Sequence, residues 1–197
     1  PLQDYQKKNY LTKKIKKKYM GISYIIFFLI VLQGIIGWYM VKSGLVNDIT
    51  VSHYRLSIHL TIAFLIISTI FWLIRNINSK KYIIFFKLSV SNLPFQILIF
   101  LIFFQIIIGA FVSGLDAGRI YQTWPLMGDT YVPNDFFLND FKNIFELDNH
   151  SLVQFYHRNL AYLIIFYVLF LTIFIYKKKI LRIYIPLKIL LFFLFIQ

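Results

Sequence analysis

The sequence predicts an all-α, polytopic membrane helix bundle with a tandem two-helix pseudo-repeat. Three observations carry this. Of 197 residues, 59% are hydrophobic and 15% charged, against about 45–50% and about 25% in a soluble domain, and the mean hydropathy is +0.68. The apolar residues gather into runs of bilayer-spanning length. Two successive pairs of these runs carry the same polar landmarks in the same order.

The elements follow in chain order. Residues 1–19 are polar and Lys-rich and read as a basic cytoplasmic segment, not a signal peptide. Gly21–Val41 is uncharged and fits a span of roughly 20 residues. Leu56–Ile74 is a second span whose one ionisable residue is His59. With an inner basic loop, these form a first unit, 20–87. Leu88–Leu115 is the third span. Asn159–Tyr176 is the fourth, and carrying it back to Leu152 adds only His157 and Arg158 as charged or ionisable residues. They form a second unit, 88–176, around a long outer loop, 114–150. Residues 177–197 hold another inner basic loop and a fifth apolar run from Ile189 to Gln197, too short to span. We therefore expect a piece of a longer protein.

Charge fixes the orientation. The net charge is +13, and sixteen of the 21 basic residues flank one side: the lysines from Lys7 to Lys18, then Arg75, Lys80, Lys81 and Lys87, then Lys177 to Lys188. Seven of the eight acids, from Asp48 to Asp148, fall on the other. The positive-inside rule puts the basic side in the cytoplasm, or in the matrix of an organelle. The lysines then act as flanks beside anionic headgroups and not as a nucleic-acid surface. Trp38, Tyr39, Tyr54 and Tyr156 mark the outer interface, and Tyr19, Trp72, Tyr82 and Tyr176 the inner one. The absence of cysteine excludes disulfides, zinc–thiolate sites, iron–sulfur clusters and cysteine nucleophiles. A lid over the bundle is one reading of the outer loop, whose aromatic and proline content argues against disorder. Asn149-His150-Ser151 matches a glycosylation sequon, a pattern frequent by chance.

The repeat locates the chemistry. Gln33-Gly34-Ile35-Ile36-Gly37, Ser43-Gly44-Leu45 and His59 in the first unit match Gln105-Ile106-Ile107-Ile108-Gly109, Ser113-Gly114-Leu115 and His157 in the second. Each histidine lies about five residues inside its helix, ~7–8 Å below the outer end. An ionisable side chain inside a span is a functional candidate. A neutral imidazole offers one lone pair to a metal. No Cys, Asp or Glu accompanies the pair, so haem iron, which asks the protein only for axial ligands, fits better than zinc. The alternative is a histidine hydrogen-bonding between helices. Arg55 and Arg158 stand beside these histidines, as haem-propionate partners or as snorkelling interfacial arginines. Gln33 and Gln105 either bond a cofactor or a group one step removed from it, or hold helices together. Gly34, Gly37 and Gly109 permit close helix approach or leave room for a flat macrocycle. His53 and His150, in or next to loops, are expected to be solvated.

The stretch Gln33–Leu45, Val51-Ser52-His53-Tyr54-Arg55-Leu56 with His59-Leu60, Gly109–Gly118, the Tyr121–Gly128 loop and Gln154-Phe155-Tyr156-His157-Arg158 together resemble haem A synthase, in its cysteine-free branch. That family oxidises a methyl group of haem O to the formyl group of haem A. The resemblance implies an eight-helix protein made of two four-helix halves, each holding a haem between two outer-side histidines. By it, His59 is a ligand of substrate haem O and His157 a ligand of haem b. Haem O synthase, an electron donor and a second copy of the chain are the implied partners besides lipid. A bacterial inner membrane, or a mitochondrial one, is the implied location. The family's Glu-x-x-His-Arg motif and last histidine are not in this sequence. The expectation is thus a stretch equivalent to the middle four helices and the start of another, inactive alone. The rival readings are a b-type cytochrome that only transfers electrons, and a transporter or assembly protein whose histidines bind no metal.

Overall fold

The computed structural model describes residues 2–44, 51–79, 83–84, 89–134 and 146–196. Tyr82, Leu45, Leu88, several of the flanking charges (Asp48, Lys80, Lys81, Lys87, Asp135, Asp140) and the loop residues 135–145 lie outside them. Among the described residues the regular structure is helical, with no strand beyond an isolated bridge between Met127 and Thr130. Five α-helices follow one another among the described residues: α1 Leu2–Gly44, α2 His53–Ile77, α3 Leu93–Gly114, α4 His150–Lys177 and α5 Tyr184–Ile196. Among the described residues, four segments are long and apolar enough to cross a membrane: Tyr19–Ser43, His53–Ile77, Leu93–Gly114 and His150–Lys177.

The helix limits differ from the apolar runs for physical reasons. Helix α1 continues back through the lysine-rich segment. Lysine is a good helix former, and no glycine or proline interrupts the chain between Leu2 and Met20. Helix α3 begins at Leu93, not Leu88, because Ser89–Asn92 turn and Pro94, with no N–H to give, suits a first helical turn. Helix α4 begins at His150, where the Asn149 carboxamide oxygen accepts the Leu152 N–H at 3.0 Å. That asparagine is a helix cap, which gives the would-be sequon a structural use. Helix α5 starts at Tyr184, five residues before the apolar run, and stays shorter than a span.

The chain divides into two compact units, residues 1–87 and 88–197. In the first, α1 and α2 form an antiparallel hairpin. Its register shows in three pairings: Tyr19 with Asn76, Gln33 with His59, and Ser43 with Arg55. The inner end is latched by Asn76, 1% exposed, whose carboxamide bonds the Ile83 backbone in both directions while the Trp72 indole donates to the Ile83 carbonyl. Tyr19 is buried against this latch and donates to the Asn76 carbonyl at 3.2 Å. Tyr19 and Trp72 thus close the hairpin, whereas composition marks them as headgroup residues.

In the second unit, α3 and α4 form an equivalent hairpin, paired at Gln105–His157 and, one end lower, where the Tyr167 hydroxyl donates to the Pro94 carbonyl. Val153, Val168, Leu171 and Ile175 of α4 are fully buried, and α5 packs back on the inner end with Tyr176 and Tyr184 rings 4.8 Å apart. Large apolar side chains such as Phe27, Phe71, Phe166 and Phe193 remain exposed, as expected where the surrounding solvent is hydrocarbon.

Candidate functional site

Each hairpin builds the same small cage. On α1, Gln33 and Gly37 are one turn apart and share a face; on α3, Gln105 and Gly109 do so. The opposing helix supplies His59 or His157, six and seven residues past the first residue of α2 and α4. That places both rings ~9–11 Å below the outer helix ends, slightly deeper than the apolar runs alone predict.

The glycines are there for the imidazoles. A Cβ built on Gly37 would meet His59 Cε1 at 3.1 Å, and one on Gly109 would meet His157 Cε1 at the same 3.1 Å. Gly34 faces open space, so it is not part of the cage. The glutamines also converge on the rings. Gln33 Nε2 lies 3.0 Å from His59 Nε2. Gln105 Nε2 lies 3.2 and 3.3 Å from the two ring nitrogens of His157 and donates to the His157 carbonyl at 3.3 Å.

The polar accounting inside the first cage does not close. With the Gln33 amide donating to Nε2, the His59 proton sits on Nδ1, which is buried and meets no acceptor. A half-turn of the amide reverses the polarity and leaves Nδ1 with a buried lone pair instead. Either arrangement strands one ring nitrogen, and only the second leaves on it the lone pair that a metal ligand offers. Gln33 Oε1 and Gln105 Oε1 are likewise buried without partners. Unpaired polar atoms in apolar burial are costly, so the cages fit a group that completes them. An apolar macrocycle with an iron that asks for an imidazole is such a group. Among the described residues, no cluster of three or more His, Cys, Asp or Glu side chains could hold a bare metal ion.

The two arginines differ. Arg55 donates to the Ser43 hydroxyl at 2.6 Å and lies 5.0 Å over the Tyr39 ring. The Ser43 hydroxyl in turn bonds the Tyr39 carbonyl, so Arg55 ties together the outer ends of α1 and α2. Arg158 reaches into the outer loop instead. It donates to the carbonyls of Tyr121 at 2.6 Å, Thr123 at 2.8 Å and Leu126 at 3.3 Å. Of the other histidines, His150 is exposed as expected. His53 is half-buried, because it opens α2 and its ring packs against Tyr54 with centroids 4.3 Å apart.

The described part of the outer loop is an ordered body. After α3, Asp116 takes φ 52° and one 3-10 turn, Ala117–Arg119, follows. Met127, 2% exposed, bonds Thr130 through its backbone N–H at 2.7 Å. The Thr123 hydroxyl donates to the Leu126 carbonyl and accepts the Gly128 N–H. Gln154, 4% exposed, holds this loop to α4: its amide donates to the Tyr121 carbonyl at 2.9 Å and the Gly118 carbonyl at 3.4 Å, and accepts the Tyr121 N–H at 3.3 Å. Further out, the Tyr131 hydroxyl donates to Asn159 Oδ1 at 2.5 Å. Gln154 was the residue to suspect from sequence, an uncharged polar side chain three residues before His157. A second feature gave no such signal. An apolar groove of about 880 Å³ runs along α3 and α4 beneath Trp124 and Pro125, and the buried Tyr162 hydroxyl at its wall has no partner.

Comparison with known proteins fits this geometry. The family model described as cytochrome oxidase assembly protein, COX15-CtaA, matches residues 9–197. A heme A synthase of Pelagibacter ubique (strain HTCC1062) is 47% identical over 161 residues, 82% of this chain and 47% of that protein. Heme A synthases of Wolbachia sp. subsp. Brugia malayi and of Maricaulis maris are 45% and 38% identical, over 83% and 80% of this chain and 49% and 44% of their own. The chain spans about half the length of the curated relatives it matches. No solved structure matches.

Proposed function

The chain belongs to the COX15-CtaA family of cytochrome oxidase assembly proteins, and on that premise we propose that it is the haem-holding middle of an enzyme oxidising a porphyrin methyl of haem O to the formyl group of haem A. His59 is a ligand to substrate haem O and His157 a ligand to haem b. Bound haem b supplies one-electron redox chemistry.

The observation that carries this reading is the twin Gln–His–Gly cage: two imidazoles at matching depth, each backed by a glycine and engaged by a glutamine. The chain's own residues have three tasks. Gly37 and Gly109 let each ring lie against the neighbouring helix backbone, fixing its distance and tilt. Gln33 bonds His59 Nε2 and so leaves Nδ1 as the free nitrogen, and Gln105 engages both nitrogens of the His157 ring. Arg55 stands at the outer end of its hairpin, bonded to the Ser43 hydroxyl, where a carboxylate of the macrocycle can be paired. Arg158 carries charge to the equivalent place in the second unit, with three bonds already made to loop carbonyls. The spans place the protein in a lipid bilayer; a bacterial inner membrane, haem O synthase, an electron donor and a second copy belong to the same proposal, and a mitochondrial inner membrane is the alternative setting.

The full-length protein should show haem bands in a reduced-minus-oxidised spectrum and should convert haem O to haem A, read by chromatography. Haem bands with no haem A product would leave an electron-transferring cytochrome. No haem bands would leave a membrane protein whose histidines bind no metal.

A further inference from the structure

Gln154, His157 and Arg158 lie on one face of α4, within four residues. The two residues flanking His157 are also the ones that hold the outer loop. Together they make six hydrogen bonds, all to backbone atoms of Gly118, Tyr121, Thr123 and Leu126. The loop they grip has its own buried residues, Ala117 and Met127, and an internal threonine bracket. It is a preformed cap fastened at the turn that bears the imidazole. Gln154 is nearly fully buried under it, so the cap covers the start of that turn.

We propose that Gln154 and Arg158 are positioning residues that fasten the loop Tyr121–Gly128 as a fixed seal over the outer end of the His157 site. The seal slows escape of what His157 holds and keeps external water from the imidazole. This rests on the reading of His157 as a haem ligand, and its test separates the two.

The test uses the full-length protein in detergent, as the wild type, Gln154→Leu and Arg158→Lys. The lysine keeps the charge but cannot fork to three carbonyls. Amide hydrogen exchange over residues 121–128 reports the fastening, and transfer of haem to excess apomyoglobin reports the seal. Both variants should lose protection at the Met127 and Gly128 amides and release haem about tenfold faster, the factor that ~1.4 kcal/mol of lost hydrogen bonding gives. Unchanged haem transfer with a loosened loop overturns the seal. So does acceleration in Arg158→Lys alone, which would mean that the guanidinium acts on the haem carboxylates directly. A wild type without haem overturns the proposed function instead. The seal is then read from carbethoxylation of His157 against the exposed His150: faster modification in both variants supports it, and an equal rate overturns it.

Discussion

At the scale of single residues, Gly37 and Gly109 carry the narrowest tolerance. An alanine in mid-helix normally gains about 0.5–1 kcal/mol over glycine. Here its Cβ lands 3.1 Å from an imidazole carbon, and forcing extra volume into a packed contact costs about 1–3 kcal/mol. The strain wins, and the ring must move. Gly37→Ala should therefore lower haem content and thermal stability, while Gly34→Ala, with open space around it, should leave haem content unchanged and hold or raise the melting temperature. Pyridine haemochrome assays and thermal melts of the full-length variants check this. The glutamines give a second discrimination by magnitude. An interhelical hydrogen bond in a membrane averages about 0.6 kcal/mol, a loss of less than about threefold in any equilibrium. If Gln105 were only glue, Gln105→Leu would shift haem affinity by no more than that. A loss of about tenfold or more, read by haem titration, is expected because the amide touches both ring nitrogens.

At the scale of elements, orientation is open to a clean experiment because the chain has no cysteine. A single Asp129→Cys on the outer loop should react with an impermeant maleimide added to whole cells or right-side-out vesicles, and Lys178→Cys, after α4, only once the membrane is opened. The reverse pattern would invert the positive-inside assignment. Both positions are exposed, so burial does not confuse the result. Element by element, what the sequence discloses depends on who the partner is. The spans are legible because hydrocarbon demands about 20 apolar residues in a row. The histidines and glutamines are legible because a polar side chain in such a run needs a partner, and the repeat shows both twice; that they pair with each other is visible only in the structure. The reach of α1 through its lysines is hidden, since charge hides helix propensity from a hydropathy reading. The grip of Arg158 is hidden more deeply. Its partners are the carbonyls of Tyr121, Thr123 and Leu126, and every residue has a carbonyl.

At the scale of the whole molecule, the duplication predicts independence. Each cage lies inside one compact unit and takes all its described partners from that unit's own hairpin. Residues that share no partner contribute additively, within about 0.3–0.5 kcal/mol. In the full-length protein, His59→Ala should then remove the capacity to hold substrate haem O and leave the haem b bands in place. His157→Ala should remove the haem b bands and leave haem O binding intact. The double variant should lose both, by the sum of the separate losses. Haem O titration followed by difference spectroscopy on the same three samples measures this. If either single variant abolishes both signals, the two cages do not act independently and the additive expectation fails.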